Sequence, residues 1–365
     1  MYIKDLYLVN FRNYQEQKID FQPGINLLMG SNGQGKTNIL EGIGYLISGK
    51  SARCKSENDL IRWGEKNFYL SGSFLVSERL FMLEGYYETG KKVMKINQLA
   101  CKRLSDYVGT VNGVSFYPDD LNIVKKGPNE RRRFIDLLIA QIRPTHFALL
   151  NAYLRAVHQK NILLKNERNI NLLRIQLQAW NEQICEIGSK IIINRFEFTD
   201  KLNTHCRKIF QSIFSDEDHL DIVYQALGKK DLEQALQSFP EILEKKMMQE
   251  IERKAVLFGP HRDEIIIYLN GNDTRIFASQ GQQRSLVLSL KLAEMEIIRN
   301  EKDEYPILLL DDVLSELDEY RRDYLIEYIN TLQKQTIITM TGADDRITNQ
   351  NAAVYQVFNG NIRRK

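Results

Sequence analysis

The sequence predicts an α/β protein whose sheet-bearing domain is interrupted by a second, mainly helical domain. Three observations carry this. The first 120 residues read mainly as strands; from about Glu130 to Lys254 the apolar spacing becomes helical; after about Val256 strands and helices alternate again. Like ends around an unlike middle describe one discontinuous domain with an insertion. The expected boundaries are 1–120 with 256–365 for the first domain and 121–255 for the helical one.

A chain of 365 residues is about two domains' worth at ~100–200 residues each. With 43% apolar and 27% charged residues it is neither disordered nor collagen-like. Fifty basic against 47 acidic residues leave +3, so a nucleic-acid surface has to come from local clustering. Cys54, Cys101, Cys185 and Cys206 stand singly and the five histidines have no ligand spacing, which predicts reduced thiols and no zinc site. Met1-Tyr2-Ile3-Lys4-Asp5 lacks the charged-then-apolar pattern of a leader, and no run reaches the ~18 apolar residues of a membrane span. A cytoplasmic protein with no membrane partner is expected.

In chain order, Tyr2 to Phe11 is aromatic and β-branched, and Ile25 to Met29 is a short apolar run entering a glycine-rich turn. A helix from about Thr37 to Ile47 follows. Phe68 to Val76, Leu80 to Tyr87 and Val93 to Ile96 alternate as an antiparallel appendage should. In the middle, Phe134, Leu137, Leu138 and Gln141 share one helical face, and Leu149, Tyr153, Ala156 and Val157 another. A second stretch runs from Leu172 past Ile187 and Ile191 to Phe214, and the polar join Lys165 to Asn169, with Arg168 inside it, suggests an antiparallel helix pair. Beyond it, Ile265 to Leu269 and Arg275 to Phe277 flank Asn270-Gly271, a strong hairpin signal. A helix from Gly281 to about Arg299, the strand Ile307 to Leu310, a helix from Glu319 to Leu332 and the strand Thr336 to Met340 complete the pattern.

Gly30-Ser31-Asn32-Gly33-Gln34-Gly35-Lys36-Thr37 fits G-x-x-x-x-G-K-[ST] at every fixed position, between a strand and a helix. Glycines let backbone N–H groups turn in around phosphate oxygens, and the helix N-terminus adds partial positive charge. Lys36 is expected on the β- and γ-phosphates of a bound nucleotide and the Thr37 hydroxyl on Mg²⁺. A chance match of the four fixed positions arises in roughly one such chain in a hundred. The apolar strand ends in Asp311-Asp312: the first is expected to hold Mg²⁺ and the second to orient or deprotonate the attacking water. From Thr37 to Ile307 is 307 − 37 = 270 positions, far more than small kinases or GTPases use, and no guanine-reading N-K-x-D occurs. Ser279-Gln280-Gly281-Gln282 reads as a capping box and equally as an anion site. Ser315-Glu316-Leu317-Asp318 holds two further cap candidates.

These elements in this order, phosphate loop, S-Q-G-Q, acidic strand and S-E-L-D, resemble the ABC-type ATPases. The likeness implies an ABC-type head, a mixed sheet with an antiparallel β appendage, and a helical domain inserted between phosphate loop and acidic strand. It also implies that Ser279, Gly281 and Gln282 of one subunit close on the nucleotide held by another. Asn10-Phe11-Arg12-Asn13-Tyr14 is similar to the N-F-R-N-Y of the SMC-like branch that works on DNA, and places Arg12 and Asn13 at the nucleotide. Within that branch the chain resembles the bacterial RecF family of recombination mediators, through Ser115 to Leu121, Arg131 to Phe134, Gly259-Pro260-His261-Arg262-Asp263 and Leu310 to Asp318. That resemblance implies an ATP-driven homodimer on duplex DNA at single-strand gaps, working with RecR and RecO to help load RecA, and a weak, DNA-stimulated ATPase. Departures from the wider ABC pattern are Asp312 where transporters mostly carry Glu, which predicts slow hydrolysis, and Thr339-Met340-Thr341-Gly342 where a switch histidine is usual. A transporter ATPase subunit and a small-molecule P-loop kinase are the alternatives.

Basic residues cluster at Lys50, Arg53 and Lys55; at Lys125, Lys126, Arg131, Arg132 and Arg133; and at Arg363, Arg364 and Lys365. The second cluster is expected to meet DNA phosphates without reading sequence, though any cluster is about as readily a solvated face.

Overall fold

The structure is a computed structural model and describes all residues except 55, 168, 214–217, 343–344 and 349–351. Lys55, Arg168 and Phe214, singled out above, therefore lie outside the described residues. The chain divides into two compact units, Met1–Leu121 with Arg284–Lys365, and Asn122–Gln283. In chain order the strands are β1 (Tyr2–Phe11), β2 (Tyr14–Asp20), β3 (Ile25–Met29), β4 (Asn67–Val76), β5 (Arg79–Glu88), β6 (Lys91–Ile96), β7 (Leu99–Ala100), β8 (Gly113–Phe116), β9 (Leu220–Gln225), β10 (Glu264–Leu269), β11 (Asn272–Asp273), β12 (Ile307–Asp311), β13 (Thr336–Met340), β14 (Ala353–Phe358) and β15 (Asn361–Arg364).

Two sheets build the first unit among the described residues. One, in the order β15-β14-β3-β13-β12-β8, is parallel except for the β14–β15 hairpin. Parallel strands are covered on both faces, so they read as unbroken apolar runs, and every residue of β12 is buried. The polar Asn26 inside β3 is tolerated because its amide bonds the backbone of Gln22 at both N and O, and the Gly24 carbonyl. The other sheet, β2-β1-β4-β5-β6-β7, is antiparallel throughout. Between them runs the helix Lys36–Ser48, whose Ile39, Leu40, Ile43, Leu46 and Ile47 are buried at helical spacing. It closes on Gly49 in the left-handed region (φ +68°), whose N–H returns to the Tyr45 carbonyl at 2.7 Å.

The second unit rests on the helices Pro128–Ile142, Pro144–Asn166 and Ile170–Ile213, the first two opening on a proline that needs no donor there. Its interior is unusually ionic. Lys160 and Glu250 are both fully buried and paired at 2.6 Å, with Asn181 completing the lysine's bonds. Asp136 takes Arg195 bidentately at 2.9 and 2.8 Å and His146 at 3.0 Å. Such groups stay buried only because each has its partner.

Two expectations are corrected here. The second boundary falls at Gln283/Arg284, not at 255/256, because β10 pairs with β9 over six positions, from Glu264↔Gln225 to Leu269↔Leu220. That ladder knits the stretch after Val256 to the helical unit. The hairpin at Asn270-Gly271 forms, but its return strand is only β11; Arg275 to Phe277 is a helical turn, started by the Asp273 carboxylate accepting from the Arg275 N–H at 3.0 Å.

Candidate nucleotide-binding site

The phosphate loop leaves β3 at Met29 and enters the helix at Lys36, and its glycines are required by close approach. A Cβ on Gly30 would lie 2.3 Å from the Val357 carbonyl oxygen. Gly35 has φ +110°, and a Cβ there would meet the Asn13 amide at 2.5 Å and the Tyr14 hydroxyl at 2.8 Å. The loop is braced from two sides. Asn13 Nδ2 donates to Gln34 O (3.1 Å) and the Tyr14 hydroxyl to Gly35 O (3.1 Å). From the β14–β15 turn, Gly360 N donates to the same Gln34 carbonyl and Asn359 N to Gln34 Oε1 at 2.7 Å. Ser31, Asn32 and Gly33 are exposed. Lys36 is 6% exposed, and its ammonium donates to Gly30 O (2.6 Å) and Ser31 O (2.9 Å). Burial lowers its pKa, while Asp312 and Asp311 pull it back up.

Strand register assembles the acidic half. Asp311 stands opposite Thr339, and Met340 opposite Met29, so the C-terminal ends of β12, β13 and β3 come together. Asp311 Oδ1 accepts from Thr37 Oγ1 and from Thr339 Oγ1, both at 2.8 Å, and Thr339 Oγ1 accepts from Asp312 N at 2.9 Å. Burial raises the Asp311 pKa, against the lowering by the two hydroxyl bonds. Thr37 and Asp311 thus offer two hard oxygen ligands side by side, a donor set that suits Mg²⁺. Asp312 adopts φ +52°, a left-handed conformation uncommon outside glycine, at the start of the turn Val313–Glu316. Its carboxylate has no hydrogen bond among the described residues, and acts on Lys36 through space.

Arg12 is spent inside the fold: its guanidinium is bidentate on Glu41 (2.8 and 2.9 Å) and donates to Asp59 O (2.7 Å). Glu41 is 1% exposed and also accepts from Ser51 Oγ at 2.6 Å. Of the pair, Asn13 bonds the loop directly, and Arg12 fixes the turn that carries Asn13. Sequence reasoning missed Glu41 and the Asn359-Gly360 turn, and noted Thr339 only as the place of an absent histidine. Asp318 does cap the helix Glu319–Leu332, through Arg321 N at 3.0 Å, whereas Ser315 turns back onto Asp312 O at 2.7 Å. Ser279, Gly281 and Gln282 lie in the second unit, where Ser279 Oγ accepts from Gln282 N (3.2 Å) and Gln282 Oε1 from Ser279 N (2.8 Å), a complete capping box.

The family described as "RecF/RecN/SMC N terminal domain" matches residues 2–364. The DNA replication and repair protein RecF of Desulfitobacterium hafniense is 54% identical over 365 residues, covering all of both chains. The chain belongs to the RecF family. A solved structure described as the recombination mediator protein RecF-ATP in the RecFOR pathway superposes with a TM-score of 0.90 at 32% identity, over 100% of this chain and 97% of that one. The Smc head domain of Pyrococcus furiosus, at 17% identity and a TM-score of 0.58 over 100% of this chain and 96% of that one, shares the fold. RecF membership gives the chain the ABC-type ATPase fold, places it among DNA replication and repair proteins, and leaves the transporter and kinase readings without support. Among the described residues, no helix is long and apolar enough to cross a membrane.

One set of expected RecF–DNA contacts needs correction. Arg131 is 2% exposed, bonded to Glu264 (3.1 and 2.9 Å) and to the carbonyls of Ile123 and Lys126. It is a strut of the second unit, unavailable to DNA, because the apolar face it shares with Phe134 and Ile135 turns inward. Arg132 is half-buried on Asp263 O and Asn129, while Lys125, Lys126 and Arg133 are exposed.

Proposed function

We propose that this RecF-family chain binds ATP with Mg²⁺ at the phosphate loop, dimerises on it, and in that state grips duplex DNA at single-strand gaps in the cytoplasm. There it works with RecR and RecO to help load RecA, and slow, DNA-stimulated hydrolysis releases it. The observation that carries this reading is the junction of Thr37, Asp311 and Thr339 beside Lys36: two hard oxygens for a metal, one ammonium for phosphate, and a free carboxylate, Asp312, for water. Lys36 now bonds two loop carbonyls; phosphate oxygens would take over that ammonium. Ser279, Gly281 and Gln282 of a second copy complete the site in this reading, the Gly281 N–H at their capped helix start meeting the γ-phosphate. Asp312, one methylene shorter than glutamate, accounts for slow turnover.

Sedimentation of the wild type and of Lys36→Met, with and without ATP and gapped duplex, tests it. The wild type should shift to a dimer with ATP and bind DNA in that state, and Lys36→Met should do neither. Equal dimerisation and DNA binding without ATP would refute it.

A further inference from the structure

The turn Gly259-Pro260-His261-Arg262-Asp263 takes no part in the contacts of the nucleotide site, yet side chains from several elements of the second unit hold it. Arg262 N closes the turn on Gly259 O at 2.8 Å. Gly259 has φ +129°, and a Cβ there would lie 2.3 Å from the Tyr153 hydroxyl. Pro260 O accepts from Arg195 at 2.6 Å, the guanidinium that also grips Asp136. His261 Nδ1 shares a 2.7 Å hydrogen bond with the Tyr153 hydroxyl. Asp263, 3% exposed, accepts from the Tyr224 hydroxyl (2.5 Å) and Leu227 N (3.0 Å), and its carbonyl accepts from Arg132.

Within this turn Arg262 is the exposed residue, and its guanidinium has no ion pair or hydrogen bond among the described residues. The bond from Leu227 to Asp263 ties in a second tight turn, closed by Ala226 N to Lys229 O (2.9 Å) and Lys229 N to Ala226 O (2.8 Å), and Lys229 is exposed beside it. One buried carboxylate thus anchors two turns, each ending in an exposed cation, Arg262 and Lys229.

Packing alone would be served more cheaply by apolar residues, since buried charges and hydroxyls are costly even when paired. What the polar scaffold adds is rigidity at one point of the surface. A guanidinium held on a rigid turn loses less freedom on binding, and its planar fork suits the oxygens of a phosphate. We infer that Arg262, with Lys229 on the adjoining turn, is a preorganised phosphate-binding element. Its phosphate comes either from a DNA backbone or from the nucleotide of a second copy. The inference rests on the DNA and ATP reading above.

The test uses full-length Arg262→Ala, Arg262→Lys and Lys229→Ala beside the wild type. It measures gapped-duplex binding with ATP across 50–200 mM salt, ATP turnover in the absence of DNA, and thermal melting. If the source is DNA, Arg262→Ala should weaken binding several-fold and make the salt slope shallower by about 1, with turnover and melting unchanged. Arg262→Lys, keeping charge without the fork, should fall between, and Lys229→Ala should remove a similar increment. If the source is nucleotide, turnover should fall at an unchanged DNA slope. Arg262→Ala matching the wild type in both binding and turnover overturns the assignment while leaving the proposed function standing, as does a loss confined to melting temperature. Wild-type protein that binds neither DNA nor ATP overturns both.

Discussion

Thr339→Val is a stringent perturbation of the proposed metal side of the site, because it keeps shape and removes one hydroxyl with two duties. That hydroxyl donates to Asp311 Oδ1 at 2.8 Å and accepts from Asp312 N at 2.9 Å. A hydrogen bond to a charged group contributes about 1.5–3 kcal/mol, and an orphaned buried N–H costs about 1–3 kcal/mol. The Asp312 amide is only part-buried and recovers some of its loss to water, so we expect about 2–4 kcal/mol of destabilisation. The functional effect is more diagnostic. Burial already raises the Asp311 pKa, and the Thr339 bond is one of two that lower it. Without it the carboxyl should hold its proton to higher pH and compete less well for a cation. A Mg²⁺ titration of ATP turnover should shift to higher metal concentration, and the shift should grow as the pH is lowered. Thr339→Ser, which keeps the hydroxyl, should restore the wild-type response. An unchanged Mg²⁺ dependence in Thr339→Val, with the lowered melting temperature present, would refute the argument that Thr339 tunes Asp311.

Asp312→Asn should retain ATP binding and lose hydrolysis, measured by equilibrium binding beside turnover; loss of both together would make Asp312 a ligand or a structural residue. Arg131→Ala should destabilise the second unit by about 2–4 kcal/mol in urea unfolding, since it unpairs two carbonyls and leaves Glu264 with Arg275 as its remaining cation at 3.3 Å, and any DNA defect should track that loss. Burial holds His261 down at about 4, against 6.5 for the free side chain. The unfolded chain therefore binds a proton that the folded unit refuses, and stability falls as pH drops from about 6.5 to about 4, by up to about 3 kcal/mol. His261→Gln should flatten urea midpoints across that window. Asp136, held at about 2 against burial by Arg195 and His146, loses its contribution only below the usual carboxylate range, so the two effects separate on the pH axis.

Much of the head was legible because its signals are local. G-x-x-x-x-G-K-T lies within eight residues, and Ile307 to Asp311 reads as a buried strand without knowing its neighbours. What pairs across the chain was not legible. Thr339 meets Asp311 only through the β12–β13 register, and Glu41 meets Arg12 only once a helix lies against β1. Arg131-Arg132-Arg133 shows the limit from the other side: three like residues in a row point in different directions on a helix, so one is a buried strut, one is half-buried and one is exposed. Charge clustering in sequence does not reveal which way a turn of helix faces. The second boundary was misplaced for a related reason, since β10 looks like a return to the head until β9, some forty residues earlier, claims it.

The strand order β15-β14-β3-β13-β12-β8 bears on synthesis as much as on structure. β3 emerges early from the ribosome, yet both of its neighbours, β13 and β14, come more than 300 residues later. At about 5–20 residues per second, an apolar strand end carrying the phosphate loop waits tens of seconds without either flank. During that interval the 122–283 stretch, with its own sheet and helices, can collapse first, while the antiparallel β2-β1-β4-β5-β6-β7 sheet covers what it can. Slow, non-local closure of this kind invites mispairing at the open strand. The nucleotide site therefore forms only after β13 and β14 are made, and a newly made molecule acquires its ATP-binding loop long after the loop itself has been synthesised.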